Sequence, residues 1–266
     1  MTEHVTSRDG TRIAYEITGS GPAVILIDGA FCSRALGPMP KLAAALAAKF
    51  RVLTYDRRAR GASGDTRPYA IEREIEDIDA LIGAAGGRAS LYGVSSGAAL
   101  ALAAAATALP IAKLALFEPP FMVGAHARAV PTDHTAVLTR MIEADRRGDA
   151  VRYYLCDIIG MPRFVPWIFR LLPMWRKMTA VAPSLPYDSA IMGDFRLPRI
   201  RAMSVRVPTL VMSGAKTMPV LRDAARAAAE SIPGASHEEL PGQTHHAAPR
   251  AIAPVLERFL QPAQAA

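Results

Sequence analysis

Residues 91–98 read Leu-Tyr-Gly-Val-Ser-Ser-Gly-Ala and fit the pattern G-x-S-x-G, with Ser95 at its centre. In this pattern a buried strand turns sharply into a helix and leaves the serine hydroxyl exposed at the turn. Gly93 and Gly97 let the strand and the helix approach each other without a Cβ clash. The flanks agree, because residues 89–92 are typical of a short buried strand and the residues after Gly97, almost all Ala and Leu, of a buried helix. We therefore predict that Ser95 is a nucleophile, rather than an inert serine at an ordinary turn.

Strand and helix patterns alternate through most of the chain. Besides residues 89–92, strand patterns occur at residues 4–8, 12–17, 23–27, 51–56, 113–117, 209–214 and 237–240, and helix patterns at residues 42–49, 71–85, 220–232 and 252–260. Strands that alternate with helices build a mostly parallel sheet with right-handed crossovers and helices on both faces. The sequence therefore predicts an α/β fold with an eight-stranded, doubly wound sheet.

The alternation stops between residues 121 and 205. This stretch has helical patterns and is rich in Pro, Met and Trp. We interpret it as an inserted helical cap, so that residues 1–120 and 206–266 form the core. A chain of 266 residues is long enough for one large α/β domain with such an insertion.

Composition excludes several classes of protein. Half of the residues are hydrophobic, but no stretch approaches the roughly 20 uninterrupted apolar residues that a membrane span requires. The first residues lack the basic-then-apolar pattern of a signal peptide, so we expect a cytoplasmic protein with no membrane partner. The spacing of Cys32 and Cys156 does not suggest a metal site, and we expect no disulfide between them because no export signal is seen. We expect no metal and no cofactor.

The net charge of +7 raises the question of nucleic-acid binding. The arginines are scattered, however, with Arg57, Arg58 and Arg60 in one turn, and neither a lysine-rich arm nor an aromatic platform accompanies them. We interpret the arginines as residues of solvated faces. We therefore expect a small-molecule substrate, no nucleic-acid partner, and a monomer or homodimer.

The nucleophile needs a histidine as its base. A serine hydroxyl attacks well only when a base accepts its proton and a third group orients that base. With this type of elbow the order along the chain is serine, acid, histidine, so the histidine should follow the last strand. Residues 240–246 end in His245-His246. We prefer His245, which stands where the usual Gly-His pair places its histidine, and His246 is the alternative.

The acid departs from the common pattern. It commonly lies a few residues after the strand at 209–213, but here Thr217 stands at that place and Asp223, already inside a helix, is the first carboxylate. Glu118 closes the strand that follows the elbow helix, at the sheet edge where Ser95 lies. A carboxylate there can reach the far nitrogen of His245. We therefore predict Glu118 as the acid, with a surface or helix-capping role as the alternative.

The tetrahedral intermediate needs backbone N–H donors for its oxyanion. The Ser96 amide directly follows the nucleophile, and a second donor should come from the loop after residues 23–27, where Gly29 and Ala30 have small side chains. Asp28 precedes them. It either orients this loop or hydrogen-bonds the substrate, and the sequence does not decide between the two roles.

Taken together, these motifs resemble those of the α/β-hydrolases, and the resemblance extends over nearly the whole chain. The Ser95-Ser96 pair, Glu118 after the following strand and the loop Asp28-Gly29 resemble the zearalenone lactonases in particular. This resemblance implies an α/β-hydrolase fold and a Ser-Glu-His triad with the acid in the displaced position. It also implies that the Trp175 indole of Pro173-Met174-Trp175 contacts a bound macrolactone.

The resulting hypothesis is a serine hydrolase that cleaves an ester or lactone of an apolar, aromatic or macrocyclic compound. The candidate substrate contacts are Asp28, Phe31, Met122 and Trp175. Met122 and Trp175 belong to the cap, which is rich in the Met and aromatic side chains that line apolar pockets. One alternative is a non-hydrolytic enzyme on the same triad, such as a cyclase, a C–C hydrolase or a perhydrolase. Another is a ligand-binding module with little turnover.

Overall fold

A single eight-stranded sheet forms the centre of the molecule. The computed structural model describes residues 1–124 and 133–261. The strands are β1 (Glu3–Thr6), β2 (Arg12–Thr18), β3 (Ala23–Ile27), β4 (Arg51–Tyr55), β5 (Ala89–Val94), β6 (Ile111–Phe117), β7 (Thr209–Gly214) and β8 (Ser236–Leu240). Their spatial order is β1-β2-β4-β3-β5-β6-β7-β8. The β1–β2 and β2–β4 pairs are antiparallel and the other five pairs are parallel, so the predicted mostly parallel sheet of eight strands is confirmed.

Helices cover both faces of the sheet. They are α1 (Met39–Leu46), α2 (Ile71–Ala84), α3 (Ser96–Ala105), α4 (His134–Glu143), α5 (Arg147–Tyr153), α6 (Val165–Phe169), α7 (Pro173–Val181), α8 (Leu185–Met192), α9 (Arg199–Ser204), α10 (Pro219–Ser231) and α11 (Pro249–Leu260). Apolar residues of α1 and α11 join the core on one face, and those of α2, α3 and α10 join the core on the other.

The central strands are apolar throughout because both of their faces are buried. In β3, Val24 and Leu26 point into the core beneath α1 and α11, whereas Ile25 and Ile27 point into the core beneath α2 and α3. A strand covered on both faces has no solvent side that would favour alternating polar residues. This explains the continuous apolar run that predicted β3.

The parallel arrangement brings several loops to one edge of the sheet. Strands β3, β5, β6, β7 and β8 are consecutive neighbours and run in the same direction. Their carboxyl ends therefore lie side by side, which is where open α/β sheets bind their ligands. The loops that follow these strands carry Gly29, Ser95, Glu118, Thr217 and His245.

The helices α4 to α9 lie between β6 and β7, and we refer to residues 133–205 as the helical insertion. A π-helical turn at Tyr154–Ile158 and a 3₁₀ turn at Ala182–Ser184 complete it. Part of the predicted cap, residues 125–132, lies outside the described residues. The insertion has a small apolar core of its own, and α8 packs against α3, with Ile191 and Met192 reaching the main core.

The described residues provide neither a membrane-spanning helix nor a metal-binding cluster. Within residues 1–124 and 133–261, no helix combines the length and the apolar character needed to span a bilayer. The same residues contain no group of three or more His, Cys, Asp or Glu side chains placed to hold a metal ion. Cys32 and Cys156 are both free thiols.

Candidate active site

Ser95 occupies a strained turn between β5 and α3. Its backbone angles are φ 56° and ψ −128°, a conformation that costs a non-glycine residue about 1–3 kcal/mol. The Ser95 amide donates to the Phe117 carbonyl at the end of β6, at 3.0 Å. The flanking glycines are required sterically, because a Cβ on Gly97 would lie 2.4 Å from the Ile27 carbonyl oxygen and a Cβ on Gly93 would lie 2.4 Å from the Gly97 carbonyl oxygen. These contacts hold Ser95 in the position expected of a nucleophile.

Glu118 and His245 are joined by a short hydrogen bond. Glu118 is fully buried at the end of β6, and its Oε2 lies 2.6 Å from Nδ1 of His245 in the loop after β8. Because Nδ1 faces the carboxylate, Nε2 is the ring nitrogen free for another partner. The ring of His246 lies beside that of His245, with a centroid distance of 5.7 Å, but the bond to Glu118 is made by His245.

Two further donors fix the Glu118 carboxylate. The Gly214 amide donates to Oε1 at 2.7 Å, and the Thr217 hydroxyl donates to Oε2 at 3.0 Å. Gly214 tolerates no side chain, because a Cβ there would lie 2.4 Å from the Gln243 carbonyl oxygen in the loop that carries His245. Thr217, which stands where the common pattern has an aspartate, therefore contributes a hydrogen-bond donor to the displaced acid.

The loop after β3 lies directly against the nucleophile. A Cβ added to Gly29 would lie 3.0 Å from Ser95 Cβ and 3.6 Å from Ser95 Oγ. The neighbouring residues Ala30 and Phe31 pack against the core of the helical insertion, where the Phe31 ring meets the Tyr154 ring edge-to-face at a centroid distance of 5.2 Å. The structure thus brings Gly29 and the start of α3 together at Ser95, as the predicted oxyanion donors require.

The interpretation of Arg57, Arg58 and Arg60 as residues of solvated faces is wrong. All three side chains are buried. Arg57 makes a bidentate ion pair with Glu74, both distances being 2.7 Å, and Arg58 pairs with Asp77 at 2.6 Å. A buried guanidinium must be paired, because leaving one charge unpaired in the interior costs several kcal/mol.

A carboxylate from the helical insertion completes this arrangement. Asp188, at the start of α8 and fully buried, accepts from Arg57 at 2.8 Å and from Arg60 at 2.7 Å. Burial alone would raise the pKa of Asp188, but the two guanidinium groups outweigh burial and lower it. Sequence reasoning missed Asp188, although an acid within a predominantly apolar helix was a usable signal.

Asp28 is buried beneath the loop that contains Gly29. Its Oδ1 has no hydrogen-bond partner among the described residues, and a Cβ on Gly37 would lie 3.1 Å from each carboxylate oxygen. Burial raises the pKa of Asp28 to about 7, an effect that the nearby Arg60 and Arg57 reduce but do not cancel. Of the two roles left open by the sequence, burial favours orientation of the loop over contact with a substrate.

We expect Asp28→Asn to be more stable than the wild type above pH 7 and equally stable near pH 4. The pKa of Asp28 in the folded protein, about 7, lies above the ordinary value of 3.8. The wild type therefore loses folding stability as the pH rises from 3.8 through 7 and Asp28 ionises in the folded protein. That loss amounts to at most about 4 kcal/mol. Urea unfolding of both proteins between pH 4 and pH 9 measures it, with the exposed Asp145→Asn as control. Parallel pH profiles for wild type and Asp28→Asn would contradict this account of Asp28.

Of the two remaining candidate contacts, Trp175 lies in the helical insertion and Met122 lies in the segment after β6. Trp175 lines a cavity of about 210 Å³ within the insertion, and no lining residue of this cavity belongs to the proposed triad. The centroid of the Trp175 ring lies 5.9 Å from the Arg170 guanidinium carbon. Met122 packs on the main core and pairs its backbone with Phe195 at 2.6 Å. Contact of either side chain with a substrate therefore stays a prediction.

Comparison with known proteins identifies the family. The sequence profile described as "Alpha/beta hydrolase family" matches residues 24–256. The chain belongs to this family. The hydrolase is similar to the crystal structure of an alpha/beta hydrolase from Sphaerobacter thermophilus DSM 20745, with 49% identity, a TM-score of 0.90 and coverage of 97% of this chain and 100% of that chain. It is also similar to the enol-lactonase from Burkholderia xenovorans LB400, with 26% identity, a TM-score of 0.70 and coverage of 97% and 99%.

Two other similarities carry less weight. A thermophilic esterase from Thermogutta terrifontis shares the fold, with 21% identity, a TM-score of 0.70 and coverage of 98% of each chain. The "Probable oxidoreductase EphD" of Mycobacterium tuberculosis is 38% identical over 90 residues, which is 31% of this chain and 14% of that protein. The hydrolase thus matches only a small part of this curated relative's length. The resemblance to α/β-hydrolases predicted from the sequence is confirmed.

Proposed function

We propose that the protein is a serine hydrolase that cleaves an ester or lactone bond through an acyl-enzyme, with Ser95, His245 and Glu118 as its triad. The observation that carries this proposal is the 2.6 Å bond between the buried Glu118 carboxylate and His245 Nδ1, at the sheet edge where Ser95 stands in its strained turn. An imidazole oriented by a buried carboxylate is the arrangement that activates a serine hydroxyl.

In the first half of the reaction, Ser95 Oγ attacks the substrate carbonyl carbon and transfers its proton to His245 Nε2. The oxyanion that forms would accept hydrogen bonds from the Ser96 amide and from the amide of Gly29 or Ala30. Collapse breaks the bond to the ester oxygen, and the imidazolium returns the proton to the departing alkoxide. In a lactone, this alkoxide stays attached and the ring opens.

In the second half, a water molecule attacks the acyl-enzyme carbonyl while His245 accepts its proton. Collapse of the second tetrahedral intermediate returns a proton to Ser95 Oγ and releases the carboxylic acid. Glu118 stabilises the imidazolium in both halves, and the Gly214 and Thr217 donors hold its carboxylate in place. No cofactor enters these steps.

Three observations favour an apolar lactone as substrate. One related structure is that of an enol-lactonase. The apolar core of the helical insertion packs over Ala30 and Phe31 of the loop beside Ser95, with Tyr154 against the Phe31 ring, as a cap would. The sequence resemblance to zearalenone lactonases favours an aromatic macrolactone, with Phe31, Met122 and Trp175 as proposed contacts. We further propose that the enzyme acts in the cytoplasm as a monomer or homodimer on small molecules, without nucleic acid or membrane.

The proposal is tested by incubating wild type and Ser95→Ala with zearalenone, an enol lactone and short p-nitrophenyl esters, followed by chromatography. We expect the wild type to open zearalenone, giving a product heavier by one water, and Ser95→Ala to leave it unchanged. Turnover of the other lactones or esters alone would retain the hydrolase and reject the macrolactone. No turnover of any compound by the wild type would contradict the proposed function.

A further inference from the structure

Asp188 connects the helical insertion to Arg57, Arg60 and Ser96, the residue after the proposed nucleophile. Its Oδ1 accepts from Arg57 Nη1 at 2.8 Å and from the Ser96 hydroxyl at 2.8 Å, and its Oδ2 accepts from Arg60 Nη2 at 2.7 Å. Both carboxylate oxygens of this side chain are thus used within the described residues. The two arginines lie in the loop after β4, and Ser96 is the first residue of α3.

The same two arginines hold the loop that faces Ser95. Arg60 Nη1 donates to the Gly29 carbonyl at 2.6 Å and to the Cys32 carbonyl at 3.2 Å. Arg57 Nη1 donates to the Asp28 carbonyl at 3.3 Å. A carbonyl held in this way fixes the peptide plane to which the next residue's amide belongs. The amides of Gly29 and Ala30 are therefore oriented by guanidinium groups that are themselves oriented by Asp188.

We infer that Asp188 is a positioning residue for the oxyanion hole. It acts through Arg57 on the Asp28–Gly29 peptide, through Arg60 on the Gly29–Ala30 peptide and through the Ser96 hydroxyl on the start of α3. This inference rests on the proposed function. One buried carboxylate of the insertion is then linked to both proposed oxyanion donors. Donors for an oxyanion must be held in position before the reaction to stabilise the transition state. Loss of the Asp188 carboxylate would therefore slow the chemical step rather than weaken substrate binding.

The neighbouring ion pair offers a matched control. Arg58 is as buried as Arg57, and it pairs with Asp77 at 2.6 Å and with Asp9 at 2.9 Å. Its other acceptor is the Arg73 carbonyl, so its hydrogen bonds lead to α2 and the β1–β2 turn and not to the oxyanion loop. A variant of Asp77 removes an equally buried charge without touching the proposed donors.

The test compares Asp188→Asn, Asp77→Asn and wild type in two assays. One is the rate at which a fluorophosphonate labels Ser95, a reaction in which the phosphoryl oxygen occupies the oxyanion hole. The other is kcat and KM for p-nitrophenyl acetate. We expect Asp188→Asn to lower the labelling rate and kcat by about 10- to 100-fold, with KM changed less than about threefold. Asp77→Asn should keep kcat within about twofold, even where its melting temperature falls.

Folding is verified by circular dichroism, and rates are normalised to the folded fraction. Should Asp188→Asn not fold, Arg60→Lys replaces it, because lysine keeps the charge but cannot bridge Gly29 and Asp188 with a planar fork. We expect Arg60→Lys to lower kcat about tenfold. Equal losses of kcat in the Asp188 and Asp77 variants, or an unchanged kcat in a folded Asp188 variant, would overturn the inference while the proposed function stands. A wild type that the fluorophosphonate does not label would overturn both.

Discussion

Ser95→Ala is expected to lower turnover by about 10⁴- to 10⁶-fold without changing the fold. Alanine keeps the Cβ and the backbone conformation at φ 56°, so the strained turn costs much the same in both proteins. The hydroxyl that would attack the carbonyl is lost, and neither of the other two members of the triad can replace it. The measurement is kcat for the substrate that the wild type turns over fastest, together with the melting temperature.

A serine remote from the sheet edge serves as the control for this first prediction. Ser231 lies at the end of α10, where its hydroxyl bonds to the Ala227 carbonyl at 2.8 Å. Ser231→Ala should retain wild-type turnover. Full turnover by a folded Ser95→Ala protein would exclude Ser95 as the nucleophile.

Glu118→Gln is expected to lower kcat by about 10³- to 10⁴-fold. Glutamine has nearly the same size, and its carbonyl oxygen can still accept from the Gly214 amide. Its NH₂ group would then face the Thr217 hydroxyl and His245 Nδ1, where the carboxylate now accepts two hydrogen bonds. A donor opposite Nδ1 favours the tautomer protonated on Nε2, and that nitrogen can then no longer accept the Ser95 proton.

Two variants distinguish Glu118 from the other candidate acid positions. Thr217→Val removes one donor to the carboxylate and should cost much less activity than Glu118→Gln. Asp223→Asn should keep most of the turnover, because Asp223 belongs to α10 rather than to the loop around Glu118. Near-normal turnover by Glu118→Gln, combined with loss of turnover in either of these variants, would show that the acid assignment is wrong.

The fold could be predicted because its signals are local. The apolar run of residues 23–27 and the Ala-rich helix after Ser95 are dictated by burial on all sides, and both occur where the patterns place them. The predicted ends of helices are less accurate than their presence. The helix predicted at 42–49 spans Met39–Leu46, because Pro40 is accommodated in the first turn, where no N–H is needed.

The candidate site was predictable where chain order and strand ends determine position. The sequence predicts Glu118 because it closes the strand that follows the elbow helix, at the sheet edge that also carries Ser95. The structure places this strand beside the elbow strand, and Glu118 bonds to His245 at that edge. The arginine network was not predictable in the same way. Arg57 and Asp188 are 131 residues apart, and nothing local to either residue indicates the other. The packing of α8 against α2 and α3 brings them together, so the local sequence does not distinguish these buried arginines from surface residues.

Fluorophosphonate labelling followed by peptide mapping tests the central claim, an activated Ser95, most directly. The probe needs no knowledge of the natural substrate, and it reacts fastest with a serine whose proton is accepted by a base. We predict a single adduct on the peptide containing Ser95 in the wild type, none in Ser95→Ala, and much slower labelling in Glu118→Gln. A folded wild-type protein that acquires no adduct, or acquires it on another residue, would contradict the assignment of Ser95, His245 and Glu118 as a catalytic triad.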